Sequence, residues 1–146
     1  MMPVYLNLYF IPMSEDLLIK NIFYADDDPD DILLFKDVFQ DLGLPIDITI
    51  AENGIILLEK LRAANRFPDA IFMDLNMPLK NGFQCLKEIK EHPEFSSIPV
   101  VILSTSSTLD NIEKSYKLGA FQYIQKPSQY AHLKVSIEKC LAKLSV

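Results

Sequence analysis

NIFYADDDPDDILLF, residues 21–35, sets the architecture of this chain. Its first five residues are a short apolar run that stops abruptly at three consecutive acids, Asp26, Asp27 and Asp28. Pro29 follows where a helix would begin, a position at which its fixed φ is suitable and its missing N–H is not needed. Asp28 is placed to cap that helix. Ile32, Phe35, Val38, Phe39 and Leu42 then recur at helical spacing until Gly43 stops them. A strand that runs straight into a capped helix is the opening half of a strand–helix–strand unit, and the rest of the chain repeats it.

Ile46, Ile48 and Ile50 alternate as in a second strand, and Ile55, Leu58 and Leu61 mark a second helix. Asp69–Asp74 (DAIFMD) is a third strand that again ends in an acid, followed by turn signals at Asn76-Met77-Pro78 and Asn81-Gly82. Phe83, Leu86 and Ile89 fit a third helix. Pro99–Ser104 (PVVILS) is an unbroken apolar run of the kind buried on both faces. Leu109, Ile112, Tyr116 and Leu118 predict a helix closed by Gly119, and Phe121–Gln125 a fifth strand. After Lys126-Pro127, Ser128 can cap a last helix carrying Leu133, Ile137, Leu141 and Leu144. Five strand–helix repeats imply an α/β fold, a parallel sheet covered by helices on both faces.

The 146 residues suit one domain, with residues 1–18 as an N-terminal extension and 19–146 as the folded unit. The net charge of -6 gives no general attraction for nucleic acid or an anionic membrane. Cys85 and Cys140 form neither a CxxC pair nor a ligand cluster, so a reducing cytoplasm fits best. The opening MMPVYLNLYFIP is apolar but shorter than the roughly 20 residues of a membrane span. Lacking a basic residue before Lys20, it does not read as a secretory signal. Met13 opens a more ordinary start, so residues 1–12 read as an upstream start choice, with an extra strand or docking segment as the rival reading.

Ligands of open parallel sheets bind at the carboxyl ends of the strands. The residues arriving there are Asp26, Asp27 and Asp28 after the first strand, Asp74 after the third, Ser104 and Thr105 after the fourth, and Lys126 after the fifth. Clustered carboxylates repel unless a cation joins them, and Mg²⁺ favours a few oxygen ligands shared with water and phosphate. A carboxylate is also a nucleophile that can form an aspartyl-phosphate. Each residue has a plainer reading. Asp28 is more simply a cap, Asp30 and Asp31 first-turn charges that suit the helix dipole, Ser104 and Thr105 a strand end, and Lys126 a solvated lysine. Joint arrival at one sheet edge is what those separate readings leave to accident.

Four segments, NIFYADDDPDD, IFMDLNMPLKNGF, IPVVILSTSS and LGAFQYIQKP, in this order and spacing, resemble the receiver domain of two-component response regulators over roughly Ile19 to Leu144. The resemblance implies a flavodoxin-like fold with five parallel strands in the order 2-1-3-4-5. It implies that Asp74 is phosphorylated and that Mg²⁺ is the cofactor. Asp27, Asp74 and the backbone carbonyl of Asn76 would bind the ion directly and Asp26 through a water. Ser104 would move toward the phosphoryl group, Lys126 would pair with a phosphoryl oxygen, and Tyr123 matches the aromatic that turns inward on activation. The Lys126–Pro127 bond is often cis in the family. Ser104 stands where Thr is commoner, without its methyl group.

The implied partners are a sensor histidine kinase or phosphotransfer protein and a downstream protein target, as in the small standalone receivers that carry no output domain. The output face would be built from Leu109–Leu118, Phe121–Gln125 and Ser128–Leu144, with a homodimer through that face as one arrangement. Such a domain phosphorylates and dephosphorylates itself without turning over a metabolite, so it is not expected to be an enzyme. Three other readings compete. An aspartate-nucleophile phosphatase of the haloacid dehalogenase type would use Asp26-Asp27-Asp28 but leave Asp74 unexplained. A flavin-binding module would need a phosphate-cradling loop after the first strand, where this loop is acidic. The last is a receiver that binds partners without phosphorylation.

Overall fold

The computed structural model describes residues 18–146, so the two readings of residues 1–12 and nearly all of the expected extension lie outside the described residues. The elements alternate as β1 (Asn21–Ala25), α1 (Pro29–Leu42), β2 (Asp47–Ala51), α2 (Gly54–Ala63), β3 (Ala70–Met73), α3 (Gly82–Glu91), β4 (Val100–Ser104), α4 (Leu109–Lys117), β5 (Gln122–Gln125) and α5 (Tyr130–Leu144). The five strands form one parallel sheet in the order β2-β1-β3-β4-β5.

Strand periodicity splits the core between two faces. Phe23, Ala25, Ile71, Met73 and Ile102 point to the side covered by Leu57 and Leu61 of α2 and Leu86 and Ile89 of α3. Ile22, Tyr24, Phe72, Val101 and Leu103 point to the side covered by Phe35 and Val38 of α1 and Ile137 and Leu141 of α5. Each Val, Leu, Ile, Phe or Met among them contributes roughly 1.5–3 kcal/mol on full burial. β1, β3 and β4 are buried at every residue, whereas the edge strands β2 and β5 are not. That contrast separates central from edge strands of a parallel sheet.

Helix boundaries follow local chemistry. Asp28 caps α1 by accepting from the Asp30 N–H, and Gly43 ends it at φ 66, a conformation glycine adopts without a Cβ clash. α3 starts in a capping box between Asn81 and Gln84. The last helix departs from expectation: it begins at Tyr130, its cap position is Gln129 rather than Ser128, and no side chain caps it.

Other expectations need correction. Ile55 faces solvent because Leu57 joins Leu58 and Leu61 on the buried stripe of α2. Leu109, Tyr116 and Phe121 are also exposed, and Ser115 is the buried residue of α4. β3 and β4 begin one residue later than Asp69 and Pro99. The Asp69 carboxylate accepts from the N–H groups of Lys20 and Asn21, which ties the start of β1 to β3. No peptide bond is cis among the described residues, so Lys126–Pro127 is trans.

Candidate functional site

The sheet's register carries the acids to one edge. Ala25 pairs with Met73, so Asp26 and Asp74 leave neighbouring strands side by side. The two backbones stay tied there, with the Asp74 N–H donating to Ala25 O at 2.9 Å and the Asp26 N–H to Ala51 O at 3.0 Å. On the far side Ser104 pairs with Gln125, which delivers Lys126 to the same edge. The chain runs outward from β1 to β2 and then returns past β1 to β3, so this edge is the topological switch point where a crevice forms.

Lys126 is the hub of the site. Its ammonium donates to Asp26 Oδ2 at 2.7 Å, Asp31 Oδ2 at 2.8 Å and Asp74 Oδ2 at 2.9 Å, which satisfies all three of its N–H donors. Burial alone would lower its pKa, but the hydrogen bonds to Asp26, Asp31 and Asp74 outweigh that and hold it above the usual lysine value. The ammonium therefore stays charged throughout the neutral range.

Asp26 is fully buried and heavily bonded. Its Oδ1 accepts from the Asp28 N–H at 3.0 Å, and its Oδ2 accepts from the Tyr24 hydroxyl as well as from Lys126. Burial, reinforced by the adjacent Asp26 charge, pushes the Tyr24 phenol far above its ordinary pKa. Asp74 is 8% exposed, and its Oδ1 accepts from the Asn76 N–H at 3.2 Å. Asp27 is exposed and lines a cleft of about 690 Å³ with Pro29, Ile32, Lys36 and Pro78.

One carboxylate oxygen from each of Asp26, Asp27 and Asp74 lies within 4.8 Å of the others. These donors are hard oxygens without His or Cys, a set that fits Mg²⁺ or Mn²⁺ rather than a soft metal.

Gly82 lets the start of α3 approach the backbone of Asp74 and Leu75 closely. A Cβ there would lie 2.5 Å from Asp74 O and 2.8 Å from Leu75 Cα, so only glycine admits this close approach. Its N–H donates to Leu75 O at 2.9 Å. In the same loop Leu79 holds φ 68 and is 77% exposed.

The remaining expected residues sit on the neighbouring strands, Ser104 at the end of β4 and Tyr123 in β5. Ser104 is fully buried, and its hydroxyl accepts from the Ser106 N–H at 3.3 Å rather than reaching Asp74. Tyr123 donates its hydroxyl to Ser106 O at 2.7 Å, so this aromatic is latched to the segment that follows Ser104.

Two residues of the site were not foreseen from the sequence. Asp31 reads as a dipole charge, yet it bonds Lys126. The signal was available: Asp31 lies four residues before Phe35 and seven before Val38, on the stripe that faces the core. Tyr24 reads as a strand residue, yet the period of 2 puts it on the same side as Asp26.

A model of the response regulator receiver domain family matches residues 22–138. The response regulator Rcp1 of Synechocystis sp. is 31% identical over 112 residues, 73% of this chain and 76% of that protein. A crystal structure of the Mn²⁺-bound form of Rcp1 superposes with TM-score 0.75 at 29% identity, covering 82% of this chain and 90% of that one. The phosphorylated cyanobacterial phytochrome response regulator RcpA superposes with TM-score 0.78 at 34% identity, covering 84% of this chain and 91% of that one. A probable cyclic di-GMP phosphodiesterase of Vibrio cholerae is 32% identical over 130 residues, 88% of this chain, but the chain spans only 28% of its length.

Proposed function

Because the chain belongs to the response regulator receiver domain family, we propose that Asp74 accepts a phosphoryl group from a phosphohistidine of a kinase or phosphotransfer protein. The observation that carries this reading is the Lys126 ammonium 2.9 Å from Asp74, with oxygens of Asp26 and Asp27 within 4.8 Å of an Asp74 oxygen.

The donor approaches past Asp27, on the open side of the site. An Asp74 oxygen attacks phosphorus in line, the O–P bond forms, and the P–N bond breaks with its electron pair going to the imidazole. Asp27, Asp74 and the Asn76 carbonyl would hold Mg²⁺, with Asp26 acting through a water, and the ion would supply charge neutralisation for the phosphoryl group. Lys126 donates to one phosphoryl oxygen, and the Ser104 hydroxyl turns toward another.

Turning Ser104 moves the loop to which Tyr123 is latched. That movement biases a two-state equilibrium at the face carrying exposed Leu109, Tyr116 and Phe121, which meets a downstream protein or a second copy of the chain. Water later hydrolyses the acyl phosphate. Among the described residues no helix is long and apolar enough to cross a membrane. The phosphatase alternative is weaker because Asp26, the acid at the end of β1, is fully buried and already accepts from Tyr24, Asp28 and Lys126.

The test is phosphotransfer from acetyl phosphate, followed by ³¹P NMR with Mg²⁺ present or chelated. A protein-bound acyl phosphate that forms only with the metal and is discharged by hydroxylamine is the expected result. No such species under either condition would remove the phospho-acceptor reading.

A further inference from the structure

Lys126 has more carboxylate partners than phosphoryl transfer needs. Asp26 and Asp74 belong to the acceptor site, but Asp31 comes from the first turn of α1. Its side chain is 30% exposed against 9% for Lys126, so its carboxylate can turn to water when it gives up the ammonium. Asp31 Oδ2 and Asp74 Oδ2 bond one nitrogen at 2.8 and 2.9 Å, which places the two oxygens within roughly 6 Å of each other.

The Lys126 N–H that Asp31 holds is one that an incoming phosphoryl oxygen can take. Asp31 also adds a negative charge beside a site that must accept an anion. The same charge favours a divalent cation. We propose that Asp31 is a positioning residue for Lys126, holding one of its N–H donors in reserve and setting opposite biases on the site: tighter for the divalent cation and weaker for the phosphoryl group. This rests on the phospho-acceptor reading.

Two variants separate the contact from the charge. D31N removes the carboxylate at nearly constant size. D30N removes the same charge one residue earlier on the same helix end, from an exposed side chain outside the Lys126 network. At this range, through an effective dielectric between that of water and the roughly 20 of a protein surface, one unit charge changes a neighbouring ion's affinity by about threefold or more. Mg²⁺ affinity and, at saturating Mg²⁺, affinity for beryllofluoride as a phosphoryl analogue are measured by calorimetry.

D31N is expected to bind Mg²⁺ at least about threefold more weakly and beryllofluoride at least about threefold more tightly, with D30N close to wild type in both. Loss of a merely structural contact would not move the two affinities in opposite directions. Equal shifts in D30N and D31N, or both affinities falling together in D31N, would overturn the proposal. Beryllofluoride binding to neither wild type nor D31N would overturn the phospho-acceptor reading itself, and this proposal with it.

Discussion

Replacing Gly82 with alanine puts a methyl group where two backbone atoms already stand. Its Cβ would lie 2.8 Å from Leu75 Cα, about 0.7 Å inside the roughly 3.5 Å at which carbon atoms rest. Neither neighbour is a flexible side chain, so the start of α3 and the Asp74 loop must separate. Overpacking of this kind costs about 1–3 kcal/mol, which at about 4 °C per kcal/mol for a domain of this size lowers Tm by about 4–12 °C. Displacing the acceptor relative to Lys126 by a similar distance would slow phosphorylation by at least about tenfold, since a 1 Å misplacement costs on the order of a hundredfold.

Gly43→Ala is the control. Gly43 has φ 66 with no heavy atom within 4 Å of a built Cβ. Its cost is conformational alone, about 1–2 kcal/mol, and the site is untouched. Thermal unfolding and the rate of acetyl phosphate labelling, measured together, separate the two variants. G82A with wild-type Tm and wild-type rate, or G43A losing rate as well, would refute the reasoning.

Three other outcomes follow from the same geometry. Tyr24→Phe removes a donor from a buried carboxylate and is expected to cost about 2 kcal/mol, read by urea unfolding; an unchanged midpoint would show that the hydroxyl contributes nothing. Mg²⁺ at a hundred times its Kd is expected to stabilise the wild type by about 2.7 kcal/mol, with most of that gain lost in Asp27→Asn in thermal unfolding. Burial raises the thiols of Cys85 and Cys140 from 9.0 to about 12. Their contribution to stability is therefore complete below pH 9 and is lost as pH rises toward 12, amounting to roughly 2 kcal/mol per thiol by about pH 10.5; urea midpoints that hold steady across that window would contradict it.

How far the sequence could be read depended on what each signal reports. Pro29 after Asp28, Gly43 and the unbroken PVVILS run encode backbone restriction and two-sided burial, so they placed α1 and β4 within a residue. The acids and Lys126 could be assigned to one edge because strand ends in a parallel sheet have nowhere else to go. Apolar spacing does not reveal which residues of a short helix the rest of the fold covers, so Ile55, Leu109 and Tyr116 turned out exposed. The cap of α5 was misplaced because Ser128 has the right chemistry one residue too early. Asp31 and Tyr24 were missed because a charge in a first turn and an aromatic in a strand each have an ordinary local explanation. Spacing gives the face each occupies but not its partner: the fold brings Tyr24 to Asp26 and Asp31 to Lys126.

The phosphoryl acceptor is tested most directly by intact mass after incubation with Mg²⁺ and excess acetyl phosphate, comparing wild type with Asp74→Ala. Wild type is expected to gain the mass of a single phosphoryl group, and the variant none. Equal labelling of both proteins would place the acceptor elsewhere, and no labelling of either would contradict the account outright.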